Sequence, residues 1–469
     1  MKSIQVDVAV IGSGTAGLAA YHAAKAAGTS ALIIEDGEYG TTCARVGCMP
    51  SKLLIAAAES AHAVGKAAQF GIHVDGVVRI DGPEVMARVK RERDRFVGFV
   101  LRDVQAISDT DRIRGHARFT DDYTLEIADH TRVTGKGIVI ATGSSAAQMD
   151  SFTGLGDRLI ISDDVFNWRD LPKVVAVIGP GIIGLELGQA LHRLGVHVAV
   201  FGRGGRIGPF SDPDIRAYAI RAFNEEFLLE PDAQITDMQL HDNRVIIRRT
   251  GPDGNQQIED FDYVLAVTGR TPNVEDIGLD NTTLTLDGKG VPAFDPVTTR
   301  TTNADGTSPI FIAGDASNFI PLLHEAADEG RIAGENAARF ALGKPVIPGL
   351  RRAPISIVFT DPQIAIVGGG FHSLKPDTFE TGQASFEDQG RSRVLLKNKG
   401  LLKVYGDIAT GRFLGGEMLA PAAEHLAHLM AWALQGRMTV EQMLEMPFYH
   451  PVIEEGLRTA LRDLDGKLR

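Results

Sequence analysis

Cysteine is nearly absent from this chain: Cys43 and Cys48 are the only two in 469 residues. A small secreted fold stapled by several disulfides is therefore excluded. Long apolar runs are missing too. No stretch approaches the ~18 unbroken apolar residues of a membrane span, which excludes an integral helical membrane protein. Positive charge is in deficit, with 48 Lys and Arg against 60 Asp and Glu and a net charge of −12. A general nucleic-acid or anionic-membrane surface is not expected at that balance. The apolar run Val6–Ile11 stops at Gly12-Ser13-Gly14, so no signal peptide is read and the expected compartment is the cytoplasm. Two cysteines cannot alone complete a tetrahedral zinc site, and His425 and His428 find no third ligand, so no metal is expected.

Glycine is what the chain has in excess, 52 residues, about 11% against a usual ~7%. Its placement exposes an internal repeat. Val8–Ile11 reads as a buried strand, followed by Gly12-Ser13-Gly14-Thr15-Ala16-Gly17 and an Ala-rich helix to about Ala27. Gly28 ends that helix, and Ala31–Ile34 is the next strand. Val174–Ile178, Gly179-Pro180-Gly181-Ile182-Ile183-Gly184, a helix to about Leu194, Gly195 and Val196–Phe201 repeat the pattern without a gap. Each copy predicts the first half of a dinucleotide-binding fold. Gly12 and Gly179 allow the turn, Gly14 and Gly181 admit a pyrophosphate, and Gly17 and Gly184 let the helix approach the strand. The strand before and helix after each motif make the signal specific.

The two copies part at the ribose position. Glu35 lies 23 residues after Gly12, near the ~20-residue offset of a carboxylate that holds a ribose diol. The matching residue of the second copy is Gly202, followed by Arg203. A carboxylate repels a 2′-phosphate and an arginine attracts one. Arg203 is thus a phosphate ligand or a solvent-facing side chain, and a glutamate restored at 202 is expected to favour NADH.

Cys43 and Cys48 lie five apart, just after the first copy. On an ideal helix their Cα atoms would be about 8.6 Å apart, beyond the ~7 Å reach of a disulfide. A bridge needs a bend, which Gly47 and Pro50 permit; inert thiols are the other reading. Near the far end, His450-Pro451 precedes Glu454-Glu455. That histidine is a surface residue unless it meets a redox thiol, when it becomes an acid–base group. Elsewhere, residues 84–107 predict a charged helix and 112–140 hairpin strands. Residues 345–354 form a Pro-rich linker. Beyond it come strands near 355–359, 364–367, 393–396 and 401–405, and helices near 422–436, 439–445 and 452–464.

Together these markers resemble the pyridine nucleotide-disulfide oxidoreductases, which are FAD-containing dimers, and most of all the dihydrolipoamide dehydrogenases. The resemblance rests on Gly12–Gly17 with Glu35, Cys43 and Cys48 with Pro50-Ser51-Lys52, and Ala141-Thr142-Gly143. It continues through Gly179–Gly184 with Glu186, Gly269-Arg270-Thr271-Pro272-Asn273, Ala313-Gly314-Asp315, Leu322–Gly330, and His450-Pro451 with Glu455. It implies an α/β fold with two Rossmann-like domains, for FAD and NAD(P), and a C-terminal α+β dimerisation domain. The expected divisions are 1–150 for the first FAD part, 151–270 for NAD(P), 271–345 for the FAD return and 346–469 for dimerisation.

By that resemblance Cys48 faces the flavin and Cys43 the disulfide substrate. Lys52 pairs with Glu186 beside the ring, and Asp315 binds the FAD ribityl or phosphate region. Thr142, Gly143, Gly269 and Arg270 belong to the cofactor-binding set. His450, oriented by Glu455, is the acid–base from the other subunit of a homodimer. The implied activity is dihydrolipoamide dehydrogenase, with a lipoyl domain of a 2-oxo acid dehydrogenase complex as partner. An NADPH-dependent reductase of another small disulfide is the rival, and a flavoprotein redox sensor or assembly scaffold the non-enzyme alternative. The last residues, Asp463–Arg469, carry no further redox pair, so mercuric and large thioredoxin reductases are not expected. Departures from the family cluster near the redox centre: Thr41 stands for a glycine, Arg45 for asparagine and Val452 for threonine. They leave the substrate open. Gly184 with Gly188 resembles NAD-using members while Gly202 does not, so the nucleotide is open as well.

Overall fold

The computed structural model describes residues 1–147, 152, 154–251 and 254–469. The expected division at 150/151 lies outside the described residues. The chain forms two compact units.

The first unit comprises Met1–Pro50, Lys90–Ala147 and Arg270–Arg351. Strand Lys2–Ile11 is central, with Ala31–Glu35 parallel on one side and Thr131–Ile140 parallel on the other. Arg112–Arg114 extends the sheet beyond Ala31–Glu35, and Ile310–Ile312 extends it beyond Thr131–Ile140, both in parallel. Val8, Val10, Ile33, Val139 and Phe311 have no exposed surface. These strands are covered on both faces, which is why they read as unbroken apolar runs. Strand Thr131–Ile140 changes character midway. Its first half alternates buried and exposed, pairing antiparallel with Thr124–Ile127, and its last four residues are wholly buried. The alternation that predicts hairpins over 112–140 is this half-solvated edge.

The second unit comprises Ser51–Val89, Gln148–Gly269 and Arg352–Arg469. Its nucleotide-type sheet runs Leu228–Glu230, His197–Phe201, Val174–Ile178, Tyr263–Ala266, Leu159–Ile160, all parallel. A three-stranded antiparallel meander, Gln234–His241, Arg244–Thr250 and Gln256–Phe261, forms a sheet of its own. A separate five-stranded antiparallel sheet follows in the order Ile355–Val358, Gln363–Val367, Phe413–Ala420, Leu401–Asp407, Phe379–Ser385. Helices Ala423–Gln435, Val440–Leu444 and Glu455–Leu468 complete the C-terminal portion.

Three readings of that portion need correction. Residues 393–396 are not a strand; Gly390–Val394 is a short helix capped by the Gln389 side chain. Strands Phe379–Ser385 and Phe413–Ala420 escape the sequence pattern. The first has few β-branched residues, and the second carries Gly415-Gly416 beside a register shift at Tyr405/Gly406. Both gain their place from pairing rather than propensity.

Candidate functional site

The first nucleotide cradle forms where strand Lys2–Ile11 meets helix Thr15–Ala26. A Cβ on Gly17 would lie 1.9 Å from the Gly12 carbonyl oxygen, so the helix could not approach with any other residue. A Cβ on Gly14 would meet nothing within 4 Å. The helix start therefore faces open space, as an anion cradle requires. Ser13 donates to Glu35 Oε2 through both its N–H and its hydroxyl, each at 2.7 Å, and Gly37 N–H donates to Oε1 at 2.8 Å. Three donors thus fix the carboxylate at the end of its strand.

A second group surrounds Asp315. The Ser144 hydroxyl donates to Asp315 Oδ2 at 2.6 Å, and Arg270 Nε donates to that hydroxyl at 2.8 Å. Asn273 Nδ2 donates to the Thr142 carbonyl at 3.1 Å. The Thr142 hydroxyl is buried without a hydrogen-bond partner among the described residues. An orphaned hydroxyl beside an open glycine cradle fits a bound dinucleotide. Gly314 N–H donates to Glu329 Oε2 at 2.8 Å, and Arg351 Nη1 lies 3.0 Å from Glu329 Oε1. Burial pushes the Glu329 carboxyl up despite those contacts. Sequence reading assigns no role to Ser13, Ser144, Asn273 or Glu329. Asn273 and Glu329 lie inside motifs that carry the resemblance, and Ser13 stands as a hydroxyl between the first two fingerprint glycines.

The cysteine segment is bent. Thr41 caps the short helix Thr42–Arg45, its hydroxyl accepting from Ala44 N–H at 3.3 Å. The helix stops at Val46-Gly47, and Cys48 opens a new one, Cys48–Lys66. A Cβ on Gly47 would lie 3.1 Å from the Thr42 carbonyl oxygen and 3.2 Å from Cys43 Cα. The chain folds back against the Cys43 turn there and brings the two cysteines close. Cys43 is half-buried and Cys48 exposed. Thr41 has φ +54°, a conformation a β-branched residue rarely adopts. Arg45 turns away towards Tyr39, whose carbonyl it reaches at 3.1 Å, and pairs with Glu38.

Lys52, one turn beyond Cys48 on the same helix, has its ammonium 2.7 Å from Glu186 Oε2. Glu186 lies on helix Ile182–Arg193 and is 4% exposed. Its other oxygen accepts from Phe359 N–H at 2.9 Å, and the Phe359 ring lies 4.8 Å below the Lys52 ammonium. His450 and Glu455 form the other expected pair. His450 Nδ1 is 3.0 Å from Glu455 Oε2, and Arg458 donates to Oε1 at 2.7 Å. The hydrogen bond from His450 holds the Glu455 carboxyl below its usual range. With Nδ1 on the carboxylate, Nε2 has no hydrogen-bond partner among the described residues, on a side chain that is 80% exposed.

The second fingerprint repeats the first in its glycines. A Cβ on Gly184 would lie 2.0 Å from the Gly179 carbonyl oxygen, while one on Gly181 would meet nothing within 4 Å. Gly269 follows the strand Tyr263–Ala266 with φ +141°. Arg203 is exposed. The expectation for residue 202 is overturned. A Cβ there would lie 2.6 Å from Pro180 Cγ and 2.7 Å from the Pro231 carbonyl oxygen. A glutamate placed at 202 alone has no room.

The family profile of the pyridine nucleotide-disulphide oxidoreductases matches residues 6–330, and the profile of their dimerisation domain matches 355–461. The chain belongs to this family. As a pyridine nucleotide-disulphide oxidoreductase it is an FAD-dependent disulfide oxidoreductase with NAD(P) as its second nucleotide. A dihydrolipoyl dehydrogenase of Haloferax volcanii is 29% identical, over 98% of this chain and 96% of that protein. A mercuric reductase of Acidithiobacillus ferrooxidans is also 29% identical, over 97% of this chain and 82% of its own length. The solved structure of the HOCl-induced flavoprotein disulfide reductase RclA from Escherichia coli shares the fold. Its TM-score is 0.79 at 21% identity, covering 99% of this chain and 100% of that one. Among the described residues no helix is long and apolar enough to cross a membrane. No group of three or more His, Cys, Asp or Glu among them could hold a metal ion.

Proposed function

We propose that this oxidoreductase acts as a dihydrolipoyl dehydrogenase, in a homodimer whose two active sites each draw on both subunits. The observation that supports it most is the bend at Gly47, which sets Cys43 against Cys48 as dithiol exchange requires. FAD, when bound, supplies the two-electron chemistry between the thiol pair and the nicotinamide nucleotide. Gly12, Gly14, Gly17, Glu35, Thr142, Gly143, Arg270 and Asp315 hold it, and Gly179, Gly181, Gly184, Arg203 and Gly269 hold the nucleotide.

In the oxidising direction His450 Nε2, from the second subunit, takes the proton of one substrate thiol. The resulting thiolate attacks Cys43 Sγ of the Cys43–Cys48 disulfide and releases Cys48 as a thiolate. The second substrate thiol, its proton passing to the released Cys48 thiolate, then attacks the substrate sulfur of the mixed disulfide and displaces Cys43 as a thiolate, which closes the substrate disulfide and leaves both cysteines reduced. Glu455 fixes the imidazole and stabilises its protonated form. Lys52 and Glu186 would set a compensated charge pair beside the flavin ring.

Gly202, closed to any acid, favours a second reading, an NADPH-dependent reductase of another small disulfide. Steady-state kinetics with lipoamide and glutathione disulfide, each against NADH and NADPH, separates the two. Turnover of lipoamide in excess over glutathione disulfide is expected. Glutathione disulfide reduction without lipoamide turnover would establish the rival.

A further inference from the structure

The two nucleotide units differ at a pair of positions. In the first, the residue between the leading glycines is Ser13, and its N–H and hydroxyl hold Glu35. In the second, the same two places hold Pro180 and Gly202. Proline has no N–H and no hydroxyl to offer a carboxylate. Its ring also fills the space where a side chain at 202 would start, 2.6 Å from the position of a Cβ.

Neither backbone is free to retreat. The Pro180 carbonyl accepts from Gly208 N–H at 2.7 Å. Gly202 is held on both sides, its N–H donating to the Glu230 carbonyl at 2.8 Å and its carbonyl accepting from Ala233 N–H at 3.0 Å. The Pro180 ring and the Pro231 carbonyl oxygen, 2.7 Å from the same Cβ position, therefore close the diol-binding acid position around Gly202.

The charges around the gap are positive or already committed. Arg203 and Arg206 are both exposed and flank the turn Gly204-Gly205. Neither guanidinium has an ion-pair partner among the described residues. Glu230 is paired with Arg249 at 2.6 Å. Asp232 accepts from Gly204 N–H at 2.7 Å, which fixes the turn between the two arginines. A guanidinium fork matches phosphate oxygens and gains nothing comparable from a free diol.

We propose that Pro180 with Gly202 excludes the ribose-binding acid and that Arg203 and Arg206 make this a site for a dinucleotide phosphorylated at the adenosine 2′-position. The inference rests on the proposed function only in that a nicotinamide nucleotide binds here. Its test is calorimetry of the purified holoenzyme with adenosine 2′,5′-bisphosphate and with 5′-AMP, which needs no disulfide substrate and no turnover. The bisphosphate is expected to bind at least tenfold tighter. The double variant Arg203→Ala, Arg206→Ala should bring the ratio near one. Gly202→Glu should lose binding of both probes, because a Cβ there meets the Pro231 carbonyl oxygen as well as the Pro180 ring. Equal or tighter binding of 5′-AMP by the unaltered protein would overturn the proposal. So would a folded Gly202→Glu protein that gains 5′-AMP affinity. If that variant does not fold, the arginine pair decides alone. Anaerobic bleaching of the flavin by NADPH and NADH reports separately on the activity. Tight bisphosphate binding without bleaching by either nucleotide would remove the proposed function and leave this inference standing.

Discussion

Lys52 and Glu186 lie 134 positions apart in the chain, yet the ammonium sits 2.7 Å from the carboxylate. Glu186 is nearly buried and Lys52 a third exposed. Removing the cation leaves a buried charge with, among the described residues, only the Phe359 N–H to answer it. A fully buried pair broken in this way costs ~3–5 kcal/mol, and the solvent reach of Lys52 reduces that. Lys52→Met is expected to destabilise the holoenzyme by about 2 kcal/mol in denaturant unfolding. Glu186→Gln should cost less, because its amide oxygen still accepts from Phe359. A larger loss for Glu186→Gln than for Lys52→Met would contradict this account.

The bend at Gly47 gives the cysteines different surroundings, Cys43 half-buried on one short helix and Cys48 exposed at the start of the next. Adding a dithiol to the yellow holoenzyme should produce a long-wavelength charge-transfer band from the Cys48 thiolate. Cys43→Ser should keep FAD and the band while losing turnover. Absorbance spectra of the two single variants check the assignment, and a Cys48→Ser protein that retains the band removes Cys48 from the role.

Much of this site was legible as spacing. The fingerprint glycines declare themselves because each answers a local geometric demand, a turn or a close approach, and such demands repeat with the motif. Gly47 was legible for the same reason. What spacing could not show is which side chains meet. The Ser13–Glu35 contact and the Pro180–Gly202 exclusion are both set by residues one place inside a motif whose pattern leaves that place open. Strand Phe413–Ala420 was hidden because its glycines lower local propensity while its neighbours supply the pairing. The contact of Glu329 with Gly314 was hidden because a buried carboxylate on helix Leu323–Ala341 has no sequence signature apart from that of a solvated one.

His62 supplies a pH prediction. Burial, and after it the nearby Arg193 and Lys66 charges, lower its pKa to about 4. Its Nε2 is buried without a hydrogen-bond partner among the described residues. A histidine whose folded value lies below the ordinary ~6.5 is protonated first in the unfolded chain. Stability is therefore unaffected by this group above pH ~6.5 and falls as pH drops from there towards about 4. Melting temperature against pH should decline less steeply for His62→Leu than for the unaltered protein across that window. Parallel curves would mean that His62 titrates alike in both states.

His450 and Glu455 are ready for acid–base work: one nitrogen is fixed by the carboxylate at 3.0 Å and the other has no hydrogen-bond partner among the described residues. The proposed function needs that nitrogen beside Cys43 of a second copy. His450→Gln should cut dithiol oxidation strongly while leaving reduction of the flavin by nicotinamide almost untouched, since that half-reaction removes no thiol proton. Subunit mixing tests where the histidine acts. Cys43→Ser and His450→Gln subunits should each be inactive in dithiol oxidation as homodimers. Refolded together, they pair one damaged cysteine with the damaged histidine at one site, and both intact groups at the other. Confirmed heterodimers should recover about half the activity of the unaltered dimer, one composite site of two. If histidine and cysteine of the same chain worked together, every site in the heterodimer would lack one of them. Inactive heterodimers, alongside unaltered subunits that recover after the same refolding, would therefore place His450 within its own chain or outside the reaction.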